Sequence, residues 1–169
     1  MLLSHVALLW MLHIGAVQSQ LFPFQDLFKP FVNIPNLFNR QQPKTTEDLI
    51  AESRLKKCCN HLQQADAQCK AQYCSFDALS ADKALLFMTT CGPRGPTVGQ
   101  MWDCASSRKD HSKCCRMVGV GPECMAYCQT TNGVPSDPAI YMNCLKYFDA
   151  VKLCFKQYLS KNPNLYGDL

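Results

Sequence analysis

A chain of 169 residues, 47% hydrophobic and 18% charged, has the length of one ordinary domain and leaves no room for a second core. Its formal charge of +4 divides as +2 over residues 20–57, +1 over 58–154 and +1 over 155–169, so no segment is basic enough to argue for nucleic acid. Twelve residues are cysteine, all between Cys58 and Cys154, and that window is the expected structured heart.

The first element is a leader. From Leu2 to Val17 the chain is apolar apart from Ser4, His5, His13 and Gly15, and it closes on Val17-Gln18-Ser19. The run is shorter than the ~20 residues a bilayer span needs, which predicts a signal peptide over 1–19, cleaved after Ser19. No later stretch is long and apolar enough to span a membrane. The last residues lack the hydrophobic tail of a lipid-anchor signal, and no Asn-x-Ser/Thr sequon is present, so a soluble, secreted, extracellular product without N-linked sugar is expected.

Residues 20–45 read as a Pro/Phe-rich arm. Pro23, Pro30, Pro35 and Pro43 forbid a continuous helix. Leu21, Phe22, Phe24, Leu27, Phe28, Phe31, Ile34, Leu37 and Phe38 are too apolar for a solvated linker. Three fates stay open: packing on the domain, binding a partner or lipid surface, or removal as a propeptide.

Helices follow. Thr45-x-x-Asp48 is a capping box ahead of Leu55, Cys58, Cys59 and Leu62 at i, i+3, i+4, i+7, predicting a helix near 46–64. Residues 79–91 are rich in helix formers, begin near Ser80 and stop at Gly92-Pro93. Val98, Met101, Trp102 and Ala105 repeat the one-faced pattern after Gly95-Pro96. A last helix, expected over 138–160, has Asp137 as N-cap, Pro138 at its first position and Ile140, Cys144, Phe148, Val151, Phe155 and Tyr158 on one side. Period-2 alternation is nearly absent, so the fold class expected is all-α: a small disulfide-rich helical domain over 46–160 with a tail at 161–169.

In an oxidising compartment the even count predicts up to six bridges among Cys58, Cys59, Cys69, Cys74, Cys91, Cys104, Cys114, Cys115, Cys124, Cys128, Cys144 and Cys154. Zinc is the rival for the Cys-Cys pairs near His61 and His111, but there is no Cys-x2-Cys and secreted thiols oxidise, so no metal and no cofactor is expected. Twelve cysteines allow roughly ten thousand pairings, and the connectivity stays open. Two constraints narrow it. Adjacent cysteines rarely bridge each other, because the ring strains the peptide between them. The gaps also repeat: x9, x4, x16, x12 from Cys59 and x8, x3, x15, x9 from Cys115. That pattern suggests two six-cysteine helical units with Cys58/Cys114, Cys59/Cys115, Cys69/Cys124, Cys74/Cys128, Cys91/Cys144 and Cys104/Cys154 as equivalents. Bridges should then fall in matched sets.

The run Lys109-Asp110-His111-Ser112-Lys113-Cys114-Cys115-Arg116, followed by Gly119-Val120 and Glu123-Cys124-x3-Cys128, resembles the middle signature of the nematode DB module, a secreted domain with twelve cysteines. Cys144-Leu145-x-Tyr147-Phe148-Asp149-Ala150-Val151-x-x-Cys154-Phe155 resembles its closing helix, and Cys58-Cys59 and Cys91-Gly92-Pro93 fit its opening. The resemblance spans about residues 57–156. Members of the family are secreted, mostly without an assigned activity, and some carry the module beside immunoglobulin or fibronectin type III domains, which implies extracellular recognition.

No catalytic constellation appears. Cys58-Cys59-Asn60-His61 resembles the helix of secreted phospholipase A2 only superficially, since Leu62 holds the histidine position, Ala65 holds the cysteine position, and no calcium loop precedes them. A Gly-x-Ser-x-Gly elbow is also missing, so an enzyme is not expected. His111 reads as a solvated loop histidine among charges. Arg108, Lys109, Lys113 and Arg116 read as an ordinary charged loop between bridges or as a contact for an acidic receptor face or a sulfated glycan. The leading expectation is therefore a module that binds an extracellular protein, such as an immunoglobulin-type cell-surface or matrix ectodomain, by surface contact. The alternative is a carrier of small apolar ligands, and an enzyme or inhibitor comes last. An enclosed apolar cavity would favour the carrier.

Overall fold

A computed structural model describes residues 43–135 and 138–169; the leader, all of the arm before Pro43 and the N-cap expected at Asp137 lie outside the described residues. Among those described there is no strand. The order is α1 (Thr46–His61), α2 (Ala67–Tyr73), α3 (Ala81–Cys91), α4 (Thr97–Ser106), α5 (Ser112–Met117), a 3-10 helix (Pro122–Tyr127), α6 (Pro138–Cys144), a 3-10 turn (Leu145–Tyr147) and α7 (Phe148–Lys161). The all-α class is thus as the sequence predicts, and none of these helices is long and apolar enough to cross a membrane.

Helix α1 starts where its chemistry dictates. Asp48 N–H donates to Thr45 Oγ1 at 3.1 Å while Thr45 N–H donates to the Asp48 carboxylate at 3.0 Å, which satisfies two orphan donors of the first turn. Asp48 also meets Lys156 of α7 at 2.6 Å, and that ammonium, with the capping bonds, holds the carboxyl down at about 2. The predicted stripe of Leu55, Cys58, Cys59 and Leu62 is buried. Along α7, Val151, Phe155 and the fully enclosed Leu159 face it, and α1 packs on α7 more extensively than any other pair of helices.

The single helix expected over 138–160 is broken. Helix α6 stops at Cys144, one tightened turn of three residues intervenes, and α7 begins at Phe148. The break re-aims the chain so that Cys144 reaches Cys124 while Cys154 reaches Cys114. Leu145, Lys146 and Tyr147 contain no glycine or proline, and an apolar stripe tolerates a 3-10 turn, so the sequence carries no signal for it.

All twelve cysteines are bridged: Cys58–Cys104, Cys59–Cys74 and Cys69–Cys91, then Cys114–Cys154, Cys115–Cys128 and Cys124–Cys144. Each bridge of the first set has its equivalent in the second. The secondary structure repeats with them. The Cys-Cys pairs lie near the ends of α1 and α5, Cys69 and Cys124 are the third residues of α2 and the first 3-10 helix, Cys74 and Cys128 cap those elements, and Cys91 and Cys144 close α3 and α6. The module is therefore two copies of one stapled unit.

No bridge crosses between the units. The connector from Cys104 to Cys114 is their only covalent link, and it carries Arg108 and Lys109 exposed. A single tryptic cut there should release two fragments in denaturant without reductant, each retaining three bridges, as read by intact mass. Fragments that separate only after reduction would contradict this connectivity.

Candidate functional site

Between the two units lies an apolar cavity of about 470 Å³. The first unit contributes Phe76 after α2, Phe87 and Met88 from α3, and Met101 and Trp102 from α4. The second contributes Tyr141 and Met142 from α6 and Val151 and Phe155 from α7. Its size falls in the range of small-molecule sites. Val98, Met101, Trp102 and Ala105, the stripe that predicted α4, all line this space, so the face expected to meet a core meets a cavity as well.

Aromatic edges stiffen the wall. Trp102 stands edge-on to Phe155 at 5.2 Å and to Tyr127 at 5.8 Å, and Tyr73 edge-on to Phe87 at 5.1 Å. Such pairs hold ring planes apart and keep the space from collapsing. Trp102 Nε1 and the Tyr141 hydroxyl are buried in this wall with no hydrogen-bond partner among the described residues, and burial pushes the Tyr141 phenol up to about 12. No carboxylate lines the cavity among the described residues, and its one charged lining residue is Lys152.

Outside the cavity lining the units are zipped by polar contacts. Arg54 Nη1 donates to the Leu159 and Asn162 carbonyls at 2.7 and 3.0 Å, and Asn164 Nδ2 donates to the Arg54 carbonyl at 2.9 Å. The residues assigned from sequence to a tail fold back onto α1. Asn164 is buried, Lys57 reaches the Leu169 oxygen at 2.6 Å, and His61 stands 3.1 Å from Asp168 and 4.5 Å from the Tyr166 ring.

The four basic residues singled out from sequence are all exposed and lie away from the cavity lining. Arg108 pairs with Asp103 at 3.1 Å, and burial raises the Asp103 carboxyl in spite of that guanidinium. Arg108 and Ser107 both take φ of 51°, the left-handed region, as the connector reverses out of α4.

His111 corrects the sequence reading. It is not a solvated loop histidine: only 5% of it is exposed, Nε2 donates to the Ser106 carbonyl at 2.8 Å, and the ring packs on Phe155 and Tyr158 at 4.7 and 5.4 Å. Its charged neighbours in sequence concealed an inward position that only the αL reversal creates. Burial lowers its pKa from 6.5, with the Ser106 bond and Asp110 pulling the other way. Above 6.5 both folded and unfolded states carry it neutral. Below that, the unfolded chain takes the proton first, so stability falls with pH until the folded ring also protonates. His111→Phe should flatten that acid slope in urea midpoints measured across this range; an unchanged slope would assign it elsewhere.

A family model, the DB module, matches residues 58–155. No curated protein matches the chain, and no solved structure does.

Proposed function

We propose, on the premise that the chain belongs to the DB-module family, that it is a secreted extracellular binding module which carries a small apolar ligand in the cavity between its two stapled units. The observation that carries this reading is the 470 Å³ apolar pocket itself, open to solvent on one side and lined by aliphatic, aromatic and methionine side chains, the concave apolar form of small-molecule sites. Six bridges suit an oxidising compartment and keep the walls apart at low cost in core size. The cysteines, locked in bridges, offer no nucleophile, and catalysis is not part of the proposal.

Trp10 lies in the predicted leader, which leaves Trp102, in the cavity wall, as the reporter in the processed chain. Titrating that chain with an apolar probe should shift Trp102 emission saturably at one probe per chain. Emission that drifts without saturating would overturn the reading.

A second reading has its own observation. Arg108, Lys109, Lys113 and Arg116 stand exposed on one connector and the helix it leads into, a surface that suits an acidic ectodomain. Replacing all four with alanine should abolish capture of such an ectodomain and leave probe binding unchanged.

A further inference from the structure

The cavity's charge is asymmetric. Among the described residues its lining holds the ammonium of Lys152 and no acid, and the carboxylate paired with that ammonium, Asp149, stands outside the lining. Lys152 lies at the rim with 22% of its side chain exposed, and its Nζ sits 5.7 Å from the centre of the Phe148 ring. Nζ donates to the Leu79 carbonyl at 2.7 Å and meets Asp149 at 2.7 Å, which occupies two of its three hydrogens. The Asp149 carboxylate is itself 60% exposed, so water already competes for it and the pair is weak. Leu79 belongs to the first unit and Lys152 to the second, so the ammonium straps the two units beside the opening.

Resting on the carrier reading, we propose that the ligand is a long-chain carboxylate, its tail in the apolar cavity and its head group on Lys152, where it takes the Nζ hydrogen that Asp149 holds and so displaces that carboxylate. The pocket, about 470 Å³ and open to solvent on one side, has the size of a small-molecule site and accommodates an aliphatic tail. Aromatic and thioether side chains such as Met88, Met101 and Met142 suit a flexible aliphatic chain, because methionine fits irregular shapes. The head group requires a charge-assisted bond at a partly dry rim, where such bonds are stronger than neutral ones.

The test uses the processed chain with all six bridges intact, hexadecanoate and hexadecan-1-ol as probes, and Trp102 emission as the readout. The carboxylate should bind about tenfold more tightly than the alcohol. Lys152→Gln, which keeps a donor for the Leu79 carbonyl, should erase that gap and leave alcohol binding in place. Asp149→Asn, at an exposed position, should widen it. Equal affinities in the unsubstituted chain, or a gap that survives Lys152→Gln, would overturn the head-group assignment and leave the cavity reading standing. Failure of both probes to bind would overturn the cavity reading itself.

Discussion

Replacing Cys58 and Cys104 together with alanine should destabilise the domain by about 4 kcal/mol, the chain-entropy cost of reopening a loop of 46 residues. That is a large part of the roughly 5–15 kcal/mol that holds a domain of this class together, so the yield of folded protein should fall sharply. Alanine is the right replacement, because both cysteines are completely buried and serine would leave an unpaired hydroxyl there. Its equivalent, Cys114–Cys154, closes 40 residues and should cost nearly as much. Cys115–Cys128 closes 13 and should cost about 3 kcal/mol. Urea midpoints of the three double variants check the ranking. A long bridge that costs less than the short one would show that strain or local packing, and not loop closure, sets these energies.

The matched bridges were legible in the cysteine gaps, because a duplicated unit keeps its spacing when the side chains between have diverged. With Cys58 aligned to Cys114 and so on in order, any one bridge implies its partner. The pairing inside each unit was not legible, since spacing fixes equivalence and not contact. Helix α1 showed through its capping box and stripe, α4 through its stripe and α3 through its helix formers, although Ser80 caps α3 with no side-chain hydrogen bond; α2 and α5, of seven and six residues, are too short to display a period, and two bridges hold each one, with Asp66 capping α2 as well. The cavity was the least visible feature. Val98, Met101, Trp102 and Ala105 have the same pattern whether their face meets side chains or space, and only the second unit's distance from them decides which. Lys152 likewise carries no distinguishing mark in the sequence. Its position became distinctive when Leu79, 73 residues away, was seen to accept its hydrogen bond.

Gly99→Leu should sharply weaken ligand uptake while leaving the fold as stable as before or slightly more so. Gly99 lines the cavity from inside α4, and a Cβ built there meets only Val134 Cγ1, at 4.0 Å, so the side chain has somewhere to go. Four added carbons would project into that space and take room from the tail it holds. Meanwhile glycine inside a helix costs about 1 kcal/mol relative to alanine, and leucine recovers most of that. Loss of binding therefore comes without loss of stability, which separates occlusion from unfolding. Gly99→Ala supplies the control, gaining the same helix propensity with one carbon in place of four, and it should still bind. Trp102 emission follows uptake and thermal melting follows stability. If Gly99→Leu binds as tightly as the unsubstituted chain, the ligand does not occupy this cavity, and the exposed connector with Arg108, Lys109, Lys113 and Arg116 becomes the surface to pursue.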